Sequence, residues 1–201
     1  PGSQFVFLKD PDGTFYQLIE TAPPHGDPEA SIHTKAIPFV AINVSDFDRS
    51  REFYRMLGYT QSKPLPSTST LGEARAYGFD RPFRIRGADL SMTTGDKSVI
   101  RLVQWLDPSD DEPAYPPPIN HLGIDRMAVA VADLDEAVAV LTADGHEFLS
   151  GIAPCCSGTG LDEVGIVHLI DPDGVFIELV GAIAPPTPPP SPPDWCSQPE
   201  R

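Results

Sequence analysis

The stretch GIVHLIDPDGVFIELV, residues 165–180, decides how the rest of the chain is read. Two short runs rich in Ile, Val and Phe flank Asp171-Pro172-Asp173-Gly174. In such a turn proline fixes φ at the second position, aspartate offers a side chain that caps the turn, and glycine tolerates φ > 0. Apolar, β-branched runs on either side of it predict a tight β-hairpin. The same unit stands earlier in the chain: FVFLKDPDGTFYQLIE, residues 5–20, has the identical turn Asp10-Pro11-Asp12-Gly13. The strand after the turn carries Glu178 in the later copy and Gln17 in the earlier one.

A second repeat lies between the hairpins. Residues 37–59 read strand, turn, helix: Val40, Ile42 and Val44 alternate with smaller or polar residues, and Ser45 or Asp46 is placed to cap a helix. Phe47, Arg51, Tyr54 and Met56-Leu57 follow helical spacing until Gly58 stops it. Residues 40–48, VAINVSDFD, recur as residues 127–135, MAVAVADLD, and Gly58 falls on Gly145. Residues 74–79, 83–92 and 98–106 read as three further strands, and residues 148–154 as another. Each half is therefore β-α-β-β-β, the pair covering residues 36–183. Residues 1–20 read as the closing hairpin of a truncated upstream module, and residues 21–35, rich in Pro, Gly, Asp and Ser, as a linker. Residues 107–120 read as an acidic, Pro-rich surface connection, and residues 155–163 as a Gly-containing loop. Residues 184–201, dense in proline, read as an extended tail.

Composition narrows the function. A chain of 201 residues, 40% hydrophobic, can bury one good core. Its net charge of −15 repels phosphate backbones and anionic lipid, which excludes nucleic acid and membrane surfaces as partners. No apolar run reaches the roughly 20 residues needed to span a bilayer. Three cysteines, Cys155, Cys156 and Cys196, are too few for a disulfide framework, which predicts reduced thiols and a cytoplasmic setting.

Paired modules, a strand running into an Asp-capped helix, and a closing DPDG hairpin together resemble the vicinal oxygen chelate superfamily, which includes glyoxalase I, bleomycin-resistance proteins and extradiol dioxygenases. The resemblance implies an α+β fold in which paired βαβββ modules form a curved mixed-sheet cup. In metal-using members the ligands come from the opening strand, usually His, and the closing strand, usually Glu, of each module. Here the resemblance places Phe39 and Arg126 at the opening positions, and Arg101 and Glu178 at the closing ones. Phenylalanine has no lone pair to offer and guanidinium stays protonated, so only Glu178 is a competent ligand.

The leading expectation is a degenerate metal site without a bound cofactor. A small molecule would lie in the cup near Arg101, Arg126, Phe39, His168 and Glu178; Tyr77, Trp105 and Phe176 are weaker candidates for its lining, because aromatics at strand spacing are usually packing. Two arginines against one glutamate leave surplus positive charge, which favours an anionic group on the ligand. A purely structural Arg/Glu network is the alternative for the same residues. The rival from a different class is an enzyme, an isomerase, lyase or dioxygenase, using Glu178 as general base. It would hold a divalent metal through a rebuilt set of Glu178, His168 and His121. The unpaired edges of the first hairpin predict a homodimer.

Overall fold

The structure, a computed structural model, describes residues 4–20, 36–96, 99–109, 118–155 and 163–183. The predicted linker (21–35), the tail (184–201), His25, His33, Cys156 and Cys196 lie outside the described residues. The chain divides into two compact units, Pro1–Met127 with Ile170–Ile177, and Ala128–Leu169 with Glu178–Arg201.

Both DPDG stretches form the hairpins that their chemistry predicts. The first joins β1 (Phe5–Lys9) to β2 (Phe15–Ile19), a two-stranded sheet of its own. Asp10 Oδ1 accepts the backbone N–H groups of Asp12 and Thr14 at 3.0 and 2.8 Å. In the later turn Asp171 Oδ1 does the same for Asp173 and Val175, at 2.9 and 2.8 Å. Gly13 and Gly174 take φ of 92° and 95°, the left-handed region in which a Cβ is costly.

The first module runs β3 (Val40–Asn43), α1 (Phe47–Met56), β4 (Gln61–Pro64), α2 (Leu71–Ala76), β5 (Arg84–Ser91) and β6 (Ile100–Asp107). Its sheet order is β3-β6-β5-β4, with β3 parallel to β6 and the other neighbours antiparallel. The second runs β7 (Arg126–Asp133), α3 (Leu134–Ala143), β8 (Ala153–Pro154), β9 (Val164–Ile170) and β10 (Phe176–Ala182), ordered β7-β10-β9-β8. The same order in both halves is the structural counterpart of the sequence repeat. The two repeated helices, α1 and α3, each start on an aspartate: Asp46 accepts from Arg49 N at 3.0 Å and Asp133 from Glu136 N at 2.8 Å.

Side-chain alternation sorts the first sheet into two faces. Ala88 pairs with Leu102 and Leu90 with Ile100, and all four are buried on one face. Gln104 lies on that face and meets the start of α1, accepting from Phe47 N and donating to the Ser45 carbonyl. Phe47, Phe53 and Tyr54 of α1 are buried with them. Arg101, Asp89 and Trp105 therefore belong to the opposite face.

The second strand of the first module departs from the sequence reading. Residues 74–79, expected as a strand, hold the end of α2 and the turn after it. Thr70 and Glu73 form a reciprocal capping box, Glu73 N donating to Thr70 Oγ1 and Thr70 N to the Glu73 carboxylate. That pattern, threonine followed three places on by glutamate, was legible and outweighs the short apolar run. The strand in that place is β4, whose four residues are all exposed and carry no apolar alternation to betray it. Residues 148–154 narrow to β8 and an isolated bridge between Phe148 and Leu169. The expectation of reduced cysteines is corrected at one position, since Cys155 is disulfide-bonded. Cysteine number and spacing do not reveal which thiols a fold brings together.

Candidate functional site

In the first unit the opening and closing positions meet directly. Parallel pairing sets Ala41 opposite Arg101, so the residue leading into β3, Phe39, lies beside the same guanidinium. The Arg101 guanidinium carbon stands 3.7 Å from the Phe39 ring centroid, a close cation–π contact. On β5, Asp89 pairs in register with Arg101 and accepts from Nε at 2.7 Å and Nη2 at 3.0 Å. Both side chains of this fork are about a quarter exposed. The bidentate bond uses two of the five guanidinium N–H groups and leaves the Nη1 edge without a hydrogen bond among the described residues.

Asp89 was not anticipated. Its signal was the β5–β6 register, which alternation alone does not set. Arg126 has an ion pair of its own, Nη1 to Asp125 Oδ2 at 2.6 Å, with about two-fifths of each side chain exposed. Each arginine thus has an aspartate partner that the count of two arginines against Glu178 did not include.

Beside Arg101 runs a set of aromatic rings. Trp105, two pleats along β6, donates its indole N–H to Asn43 Oδ1 at 3.1 Å. Its ring lies 4.9 Å from Phe83, 5.7 Å from Phe79 and 5.9 Å from Tyr77, centroid to centroid. Tyr77 is the C-cap of α2, so the Thr70 capping box also sets where this ring stands. Burial pushes the Tyr77 phenol above its ordinary range; the Arg101 guanidinium opposes that shift and Glu73 adds to it.

In the second unit, neighbouring strands β9 and β10 bring two predicted residues together. His168 Nε2 lies 2.9 Å from Glu178 Oε2, their side chains 19% and 11% exposed. An imidazole and a carboxylate in this contact can hold a proton between them and pass it on. His121, the third member of the rebuilt metal set, has its Nδ1 2.7 Å from the Leu122 carbonyl. Among the described residues no three His, Cys, Asp or Glu side chains are grouped to hold a metal ion. Phe176 is buried at the start of β10, a packing position.

The first unit contains a further polar constellation that the sequence reading missed. The Asp173 carboxylate receives the backbone and side chain of Ser45, Arg49 Nη2 at 3.3 Å, and the hydroxyl of the fully buried Ser50 at 2.7 Å. The buried Tyr54 hydroxyl donates to Asp171 Oδ2 at 2.8 Å. Burial raises the Asp171 carboxyl above its ordinary range, against the lowering effects of the Val175 N–H and of Tyr54. Burial likewise pushes the Tyr54 phenol far up, helped by the charge of Asp171. These bonds fasten the DPDG turn to α1. Their role is structural.

The sequence pattern of the glyoxalase/bleomycin resistance protein/dioxygenase superfamily matches residues 36–179. The chain belongs to that superfamily. Among solved structures, a glyoxalase family protein from Bacillus cereus shares 21% identity at a TM-score of 0.62, covering 77% of this chain and 99% of its own. A glyoxalase family protein from Enterococcus faecalis shares 23% identity at 0.49, covering 74% and 99%. A trypanothione-dependent glyoxalase I from Leishmania major shares 22% at 0.45, covering 74% and 87%. The likeness to the Bacillus cereus protein shows the fold alone, and since one fold hosts unrelated chemistries, activity has to be argued from the site. No curated protein sequence matches the chain. Among the described residues no helix is long and apolar enough to cross a membrane.

Proposed function

We propose that this superfamily member works without a metal and binds a small organic molecule in its first module, with Arg101 as the polar anchor. The observation that carries the reading is the Phe39–Arg101–Asp89 assembly. Where the superfamily resemblance places two metal ligands, this module has a ring with no lone pair and a cation already held by a carboxylate. A divalent ion there would face a fixed positive charge, and Asp89, the carboxylate at hand, is already held by the guanidinium through two hydrogen bonds. The residues do not fit the metal.

The same assembly suits an oxygen acceptor on a ligand. Asp89 neutralises the charge and orients the guanidinium, and the Nη1 edge remains to donate. A carboxylate or carbonyl can take those N–H groups without displacing Asp89. Arg101→Met keeps much of the stem and removes the donors. Calorimetric titration with small carboxylic acids tests the reading: binding should be present in the wild type and lost in Arg101→Met, and equal binding by both would refute it. Homodimerisation, expected from the unpaired edges of β1 and β2, belongs with this proposal and is read by light scattering.

A second reading, a general acid–base enzyme, is supported by the 2.9 Å contact between His168 and Glu178 in a largely buried setting. In it the Glu178 carboxylate takes a proton from a substrate carbon or oxygen, and His168 orients the carboxylate. Turnover of a candidate substrate that disappears in Glu178→Gln and survives in Arg101→Met would favour this reading over the first.

A further inference from the structure

The aromatic rings beside Arg101 already hold two guests from within the chain. Phe7 of β1 lies 4.4 Å from Tyr77, centroid to centroid, and Phe5 lies 6.2 Å from it. Tyr77 in turn contacts Phe83 and Trp105. The segment that delivers these rings is the β1–β2 hairpin, whose strands pair with each other and with no other strand among the described residues. Its other face is open to solvent, with Val6 57%, Leu8 42% and Tyr16 48% exposed. A two-stranded ribbon of this kind is marginal in water unless it rests on something. Here it rests on Tyr77 and the adjoining α2. Tyr77 remains 40% exposed beneath it, so the hairpin covers the ring only in part.

We propose that the Tyr77–Trp105 surface is a site for a planar aromatic carboxylate, and that the N-terminal hairpin is its built-in competitor. The ligand ring takes the place of Phe7 and Phe5 on Tyr77, and its carboxylate takes the Nη1 edge of Arg101. The inference rests on the Arg101 anchor and adds the ligand's chemical class and a means of controlling access. Three features of the site support the class. Its rings are fixed, Trp105 by Asn43 and Tyr77 by its position at the end of a capped helix. Its demonstrated occupants are benzyl side chains. Arg101, two pleats before Trp105 on the same face of β6, places a hydrogen-bond donor at the same surface.

A tethered occupant competes at a high effective concentration. The ligand's apparent affinity is therefore reduced by the fraction of time for which the surface is bare. Disabling the hairpin's two rings removes that competition without altering the site. Because β1 and β2 form a sheet of their own, the change leaves the two module sheets intact.

The experiment uses the full chain and 2-naphthoate as the probe, followed by calorimetric titration. The double variant Phe5→Ala/Phe7→Ala should bind about tenfold or more tightly than the wild type, as expected for removal of an intramolecular competitor. Adding Tyr77→Ala to the double variant should abolish the gain. In the wild type, saturating 2-naphthoate should speed amide hydrogen exchange over residues 5–19. Equal or weaker binding by the double variant, with unchanged exchange over residues 5–19, overturns the competitor and leaves the Arg101 anchor standing. Binding that survives Arg101→Met in the double variant overturns the anchor. No binding by either the wild type or the double variant overturns the aromatic site itself.

Discussion

Tyr54→Phe isolates one atom at the place where the closing turn is fastened to α1. The Tyr54 ring is fully buried and its hydroxyl donates to Asp171 Oδ2 at 2.8 Å. Phenylalanine fills the same space, so no cavity opens and the change is confined to one charge-assisted hydrogen bond. Such bonds contribute about 1.5–3 kcal/mol, and Asp171, only 3% exposed, has little water to replace the lost donor. For a protein of this size the loss corresponds to a fall of roughly 3–12 °C in Tm.

The sign of the pH dependence follows from Asp171. Burial raises its carboxyl above the ordinary aspartate range, and Tyr54 is one of the groups that pull it back down. A carboxyl raised in the folded state binds more protons there than in the unfolded chain. Its contribution is therefore fully present below the unfolded value and is lost as pH rises through the folded one. Removing Tyr54 raises Asp171 further, so the variant should lose more stability over that rise than the wild type does. Urea unfolding at pH 7 and at pH 3.5 measures both effects. The deficit of the variant should be largest at pH 7 and shrink at pH 3.5, where a protonated Asp171 makes only a neutral hydrogen bond. A deficit below about 0.5 kcal/mol at pH 7, within the range of ordinary surface substitutions, would refute the reasoning. A deficit that grows toward low pH would refute it equally.

Other outcomes follow from the same structure. Asp173→Ala strands the buried Ser50 hydroxyl and should cost about 2–4 kcal/mol in urea unfolding. Asp12→Ala, at the corresponding exposed position of the first hairpin, should stay within about 0.5 kcal/mol. Thr70→Ala breaks the α2 capping box and should cost about 1 kcal/mol. It should also weaken any ligand that depends on Tyr77, as seen by calorimetry.

Much of the fold was legible because it is written twice. The paired DPDG turns and the VAINVSDFD/MAVAVADLD echo rest on local chemistry, namely turn φ angles and helix caps, which the structure reproduces atom for atom at Asp10 and Asp171. The strand β4 was invisible because an exposed edge strand needs no apolar alternation. The site was legible in part. That Phe39 and Arg101 offer a cation no lone pair follows from their chemistry; that they stand at ligand positions is what the superfamily resemblance implies. That Arg101 is answered by Asp89, and Glu178 by His168, depends on strand register, and register is a tertiary property. Tyr77 was named as cup lining from a supposed strand. The structure sets it against Trp105 but delivers it from the end of a helix. The contacts of Ser45, Arg49 and Ser50 with Asp173 join residues far apart in sequence, and no local pattern announces them.

The central claim is that Phe39, Arg101 and Asp89 have replaced a metal site with a self-neutralised hydrogen-bond donor. Elemental analysis of the full chain, purified without chelator and after growth with added Mn, Fe, Ni and Zn, tests it most directly. The account predicts metal far below one ion per chain, and no change in that content in Glu178→Gln. One ion of a single metal per chain, lost in Glu178→Gln, would contradict it.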